Sequence, residues 1–186
     1  FCPPRLPGLL YEAAMKFEFS KYILHKLVRQ VTSDILVLEE GEVTLDKNST
    51  VISGALSLGI YEPLETLLFR ASLKKGMTAV DVGANIGYYT VIAASRVGEG
   101  GKVVAFEPEP VNFGFLCKNI KNNKFTNTKM IQSAVTDRNG WTKLFLSADN
   151  NLGSHSLLDE NNGRKNCINV KTVRLDDCMR ENKIEK

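Results

Sequence analysis

Val80–Thr90 reads VDVGANIGYYT. A β-rich run, Thr78–Val82, leads into it, and Tyr88–Val97 carries the spacing of a helix. Between them lie Gly83, Asn85 and Gly87, so the segment is a strand that turns abruptly into a helix. In open α/β sheets ligands bind beyond the carboxyl ends of strands, which is where this loop sits. Its two glycines permit a sharp turn and put no side chain in the way. The helix that follows offers free N–H groups and the positive end of its dipole, suited to a carboxylate or a phosphate. A tight turn that holds nothing is the plainer alternative.

Strand and helix continue to alternate outward from the loop. Gly98–Gly101 is a turn and Lys102–Phe106 a second apolar run. Glu109–Asn122 reads as a helix with Phe113, Leu116, Cys117 and Ile120 on one face, and Lys129–Val135 as a third strand. Short connections between alternating elements are the signature of βαβ units and a parallel sheet. Upstream, Glu62–Leu73 is a helix with Pro63 in its first turn, where proline is tolerated. ILVLEEGEVTLDKN (35–48) reads as two short strands around Glu39–Gly41. Leu9–Val31 is an amphipathic helix expected to pack on a core, and Phe1–Gly8, with three prolines, an irregular arm. In the last third, DRNG (137–140) is a turn between two strand-like runs, and Asn169–Leu175 is a further strand. The expected division is an N-terminal helical and β extension over residues 1–74, followed by an α/β domain over 75–186.

Spacing narrows the choice of ligand. A phosphate-binding P-loop needs Lys and Ser or Thr after its last glycine, but Tyr88 and Tyr89 follow here. A dinucleotide loop needs G-x-G-x-x-G, and Asn85 and Tyr88 stand where its second and third glycines belong. The pattern is D-x-G-x-N-x-G. About 20 residues further on, VVAFEPEP (103–110) ends the second strand with Glu107 and Pro108. A carboxylate there can accept both hydroxyls of a ribose.

GMTAVDVGANIGYYT (76–90) followed by VVAFEPEP resembles the S-adenosylmethionine-dependent methyltransferases of the FkbM family. VISGALSLGIYEPLE (51–65) and VKTVRLDD (170–177) match that family's pattern too, so the resemblance spans Asp46 to Asp177. It implies a Rossmann-like class I methyltransferase fold with S-adenosyl-L-methionine as methyl donor. It implies that Asp81, Gly83, Ala84, Asn85, Gly87 and Tyr88 surround the methionine part, that Glu107 and Pro108 lie at the ribose, and that Ser133 and Ala134 lie near the adenine. The family favours a hydroxyl on a sugar or a polyketide-like small molecule as acceptor. An RNA or protein methyltransferase is a rival reading, and a cofactor-fold domain without chemistry is another. For the catalytic base the candidates are His155, in a polar loop, and Glu62, in the family-like GIYEP (59–63). The resemblance also calls for a strand ending in a D-V-E-G-like motif just past Lys186. With Phe1 rather than Met at the start, the chain is expected to be a fragment lacking much of the acceptor side. Such a fragment exposes an apolar sheet edge or face, open to self-association.

Composition excludes little. With 43% hydrophobic and 24% charged residues, the 186-residue chain has an ordinary globular make-up, and its net charge of +3 gives no ground to expect DNA as a partner. The basic, amide-rich KNIKNNKFTNTK (118–129) reads as a solvated helix end and loop. Four scattered cysteines without a C-x-x-C pair or a histidine cluster point to reduced thiols, a cytoplasmic setting and no metal site. No apolar run reaches the length of a membrane span. His25 is expected to be solvated, and Trp141, opening a strand, to pack on a face.

Overall fold

The computed structural model describes residues 34–46, 52–146, 155–157 and 166–182. The proline-bearing arm, the expected helix 9–31 with His25, and the last four residues lie outside them.

Strands β1 (Ile35–Val37) and β2 (Glu42–Thr44) form the expected antiparallel hairpin, with Leu36 opposite Val43. The family-like stretch that begins at residue 51, to which the sequence reading gave no secondary structure before Glu62, contains a short helix, α1 (Ile52–Ser57), with Leu56 buried. Helix α2 (Pro63–Ser72) follows. Then come β3 (Thr78–Val82), α3 (Tyr88–Val97), β4 (Lys102–Phe106), α4 (Pro110–Asn122) and β5 (Thr128–Ile131). The three strands lie parallel in the order β3-β4-β5, with Val82 beside Phe106 and Phe106 beside Ile131. Their carboxyl ends therefore form one row. β4 is the middle strand, which explains its unbroken apolar run: Val103, Val104, Ala105 and Phe106 are all buried. This is a Rossmann-like α/β arrangement.

Two readings of the sequence change beyond β5. The third strand was expected to run through Val135, but the chain breaks at Gln132 and Ser133 and restarts as β6 (Ala134–Thr136), in a different sheet. The runs on either side of DRNG do not pair with each other. β7 (Gly140–Phe145) and β6 flank β8 (Cys167–Arg174), which pairs with β6 in parallel and with β7 antiparallel. Asn139 explains why the turn does not close into a hairpin. Its side chain accepts from Arg174 N–H at 2.7 Å and donates to Asp177 at 2.8 Å, which fastens the turn onto the end of β8 and the start of α5 (Leu175–Glu181). Trp141 is 74% exposed rather than packed. Side chains alternate along a strand, and in β7 Leu144 takes the core side, which leaves Trp141 and Lys143 outward.

The main core joins the hairpin to the α/β unit: Val43, Leu45 and Leu56 pack in one cluster with Ile86, Val91, Leu116 and Ile120. Polar contacts reinforce that junction. Asn119 on α4 accepts from Thr44 N–H (2.7 Å) and donates to Thr44 O (3.1 Å) and Ile86 O (2.8 Å). One turn on, Asn123 accepts from Glu42 N–H and donates to Glu42 O. Two amides of a helix thus stand in for the missing strand beside β2. The KNIKNNK segment is therefore not simply solvated: its lysines are exposed, while Asn119 is fully buried. On the other side of the hairpin, Glu40 takes a bidentate pair from Arg70 of α2 and a third bond from Arg96 of α3. One part of the surface is apolar. Leu64, Leu67 and Leu68 of α2 are exposed, as are Val80 and Val82 of β3, whose only strand partner among the described residues is β4.

Candidate functional site

The loop after β3 owes its spacing to backbone geometry. Gly83, Asn85 and Gly87 all lie in the left-handed region, at φ of 82°, 51° and 92°. Glycine enters that region freely and asparagine more readily than other L-residues, so the alternation G-x-N-x-G is a chain turning left-handed at every second residue. Gly83 and Ala84 donate their N–H groups to Phe106 O, which clamps the loop to the end of β4. Asn85 accepts from Ile86 N–H through its side chain. A methyl placed on Gly83 meets no atom within 4 Å, whereas one on Gly87 falls 2.8 Å from Leu116 Cδ1. Gly83 therefore faces open space and Gly87 faces the core.

A small cavity opens over this loop, lined by Ile52, Tyr61, Tyr88, Tyr89, Asp81 and residues 83–86. A second, apolar cavity of about 300 Å³ lies between α2 and β3 and shares Asp81 and Tyr89 with the first. Asp81 accepts from Thr90 Oγ1 at 2.5 Å. Burial pushes its carboxyl above the usual carboxylate range, against the lowering effect of that bond. Such a group gains from a cation placed beside it.

Glu107, 5% exposed, ends β4. One carboxylate oxygen accepts from Asn85 N–H (2.8 Å) and the other from Glu109 N–H (2.9 Å). Burial raises its pKa more than these backbone bonds lower it. The Asn112 side chain bonds the same carboxylate, and with the two backbone donors it leaves part of the acceptor capacity for a ligand. Pro108 follows, and Glu109 caps α4 by accepting from Asn112 N–H at 2.7 Å. Ser133 and Ala134 are buried just past the end of β5, in line with Val82 and Phe106. The glycine loop and Glu107 thus lie along one row of strand ends, with Ser133 and Ala134 just beyond β5, while the two candidate bases lie elsewhere.

The two candidate bases do not share one setting. His155 sits in a short segment where Ser156 bridges Phe145, at the far end of the β7–β8 ribbon from the Ala134–Thr172 pairing. Glu62 lies at the start of α2 with φ of 41°, a strained setting for a side chain-bearing residue, and accepts from Tyr89 Oη at 2.7 Å. Thr66 lies within 3.3 Å and 3.5 Å of the hydroxyls of Tyr88 and Tyr89. Tyr61 meets Tyr88 edge to face at 5.7 Å between ring centres. Sequence reasoning missed Thr66, Tyr89, Thr90 and Asn119. The last had a legible signal, since it lies three residues after Leu116 and next to Ile120 on a helix face already known to be apolar.

The family profile of the methyltransferase FkbM domain matches residues 81–186, beginning at Asp81 itself. The chain belongs to the FkbM methyltransferase family. The cofactor of this family member is S-adenosyl-L-methionine. Among curated relatives, ribosomal RNA large subunit methyltransferase E of Buchnera aphidicola is 27% identical over 93 residues, which are 48% of this chain and 43% of that protein. The chain thus spans less than half the length of that relative. Similar solved structures include a methyltransferase FkbM from Methylobacillus flagellatus (12% identity, 85% of this chain and 38% of that one, TM-score 0.36). Another is a SAM-dependent methyltransferase from Aquifex aeolicus (30% identity, 37% of each chain, TM-score 0.34).

The donor-side residues of this FkbM chain fit that cofactor. Gly83 leaves an open cradle, Asp81 is a half-buried carboxylate that a neighbouring cation would stabilise, and Glu107 retains acceptor capacity beside the loop. No helix among the described residues is long and apolar enough to cross a membrane.

Proposed function

We propose that this chain binds S-adenosyl-L-methionine over the Gly83–Gly87 loop and transfers its methyl group to a hydroxyl of a small molecule, such as a sugar or a polyketide-like compound. The observation that carries the donor half is the coupling of loop to acid: Glu107 accepts from Asn85 N–H, so the residue assigned to the ribose also holds the loop in shape. The acceptor class rests on membership of the FkbM family.

Bound at this site, the cofactor supplies a methyl group on a positively charged sulfur. Asp81 faces the methionine ammonium, and the first-turn N–H groups of α3 receive the carboxylate. Glu107 accepts the ribose hydroxyls, with Pro108 beside it, while Ser133 and Ala134 border the adenine. The protein's main task is alignment of acceptor, methyl and sulfur, because an in-line displacement depends on it. A hydroxyl acceptor also needs its proton taken. Glu62 stands nearer that requirement than His155, since its partner Tyr89 lines the donor cavity. A second reading, an RNA acceptor, draws on the ribosomal RNA methyltransferase among the relatives.

Calorimetric titration with S-adenosyl-L-methionine tests the donor half. Glu107→Gln keeps the shape and half the acceptor capacity, and is expected to weaken binding by roughly 1–3 kcal/mol. Unchanged affinity in the folded variant removes Glu107 from the site. Competition by NAD or ATP would overturn the choice of ligand. Radiolabelled methyl transfer to hydroxylated small molecules, run beside ribosomal RNA, separates the two acceptor readings.

A further inference from the structure

The spent cofactor, S-adenosylhomocysteine, differs from the donor by one methyl group and one positive charge. Both carry the same ammonium, carboxylate, ribose and adenine. The bonds that Asp81, the loop N–H groups and Glu107 make to these shared groups are therefore available to donor and product alike. Discrimination needs a group that responds to the charge on sulfur.

The donor cavity contains one such group outside the loop and its helix. Tyr61, in the connection between α1 and α2, lines it together with Asp81 and residues 83–86. The ring is half-buried and fixed by its edge-to-face contact with Tyr88, whose ring meets Tyr89 in the same way at 5.1 Å. Behind these rings, Thr66 and Glu62 bond the tyrosine hydroxyls of α3. Glu62, held in a left-handed conformation by that packing, fixes the backbone directly after Tyr61. An aromatic ring locked in place at a partly desolvated wall attracts a cation through its quadrupole more strongly than it attracts a neutral thioether. The sulfur lies along the cofactor between the ammonium and the ribose, hence on the Glu107 side of Asp81, and Tyr61 lines the same cavity as Asp81 and Asn85, the loop residue that bonds Glu107.

We propose that Tyr61 is the specificity-determining residue that makes this site prefer the sulfonium donor to its neutral product, by a cation–π contact. The inference rests on the donor reading above. Its consequence is relief from product inhibition, since the product leaves a wall that attracts it less than the donor.

The test is calorimetry on the full chain with S-adenosyl-L-methionine and with S-adenosylhomocysteine. Tyr61→Leu is expected to weaken the donor roughly three- to thirty-fold and the product distinctly less. Tyr61→Phe retains the preference. Replacing Tyr61 by phenylalanines with one, two and three ring fluorines leaves size and fold in place while draining the quadrupole. Donor affinity should fall stepwise along that series and product affinity should stay level. Equal losses for both ligands would show a packing role and overturn the proposal, as would a loss on Tyr61→Phe, which would assign the effect to the hydroxyl. A wild-type chain that binds neither ligand would remove the donor reading itself, and the proposal with it. Binding of both without preference would refute Tyr61 alone.

Discussion

Asn119→Ala is expected to be among the most damaging single changes in this molecule, although the residue touches no ligand. Its amide is fully buried and makes three bonds, from Thr44 N–H and to Thr44 O and Ile86 O, at 2.7–3.1 Å. Alanine removes all three and leaves one N–H and two carbonyls to find other partners in the interior. At about 1 kcal/mol for each net bond, with a further penalty for stranded groups, the loss is about 3–4 kcal/mol. With a urea slope of about 2 kcal/mol/M for a domain of this size, the unfolding midpoint should fall by about 1.5–2 M. Asn123→Ala is the internal control. It makes the same kind of bonds to Glu42 N–H and O, and a third to Asn119 O, but at a half-exposed position where water reaches the bonds to Glu42, so about 1 kcal/mol is expected. Because Asn119 also holds Ile86, inside the glycine loop, donor affinity should drop in Asn119→Ala and hold in Asn123→Ala. Equal destabilisation by the two variants, or a loss below about 1 kcal/mol for Asn119→Ala, would refute the argument from burial.

Two further outcomes follow from the same geometry. In Gly83→Ala the new methyl meets no protein atom, so the cost in stability is only the left-handed strain of about 1 kcal/mol at φ 82°. Donor binding should nonetheless fall by more than about tenfold, because that methyl occupies the ligand's space. Melting and calorimetry together check this, and retained affinity would mean that Gly83 does not face the cofactor. Glu40→Gln should lose about 2–3 kcal/mol at pH 7 by uncoupling a buried carboxylate from Arg70 and Arg96. Burial works to raise the pKa of Glu40, but the bonds from the two arginines outweigh it and hold it below the ordinary 4.5. A carboxyl lowered in the folded state stabilises above its unfolded value and loses that contribution as pH falls through the folded one. The gap between wild type and Glu40→Gln, read from urea midpoints, should therefore narrow below about pH 4.5. A gap that stays constant from pH 7 to about pH 3 would show that the charge of Glu40 is not what matters.

The strand–loop–helix at Val80–Thr90 was legible because its signals are local. Left-handed backbone at alternate residues demands glycine or asparagine, and the β-to-helix change of period spans only a dozen positions. The bounds of β3, α3 and β4 follow from that periodicity alone, and so does the place of Glu107 at a strand end. What tertiary structure decided are the contacts between segments far apart in sequence. No period in the chain says that β8 slips between β6 and β7. Asn139 fastens that arrangement, by bonding residues 35 and 38 positions away. An asparagine on a helix looks solvated until a hairpin 75 residues earlier lays its free edge against it. Trp141 shows the converse: its bulk argued for burial, and the alternation of its strand, set by Leu144 facing the core, turned it outward. The triad of Glu40, Arg70 and Arg96 and the cluster of Tyr61, Tyr88 and Tyr89 arise in the same way, because hydrogen bonds and ring contacts read distance in space, to which spacing along the chain is blind beyond a few turns.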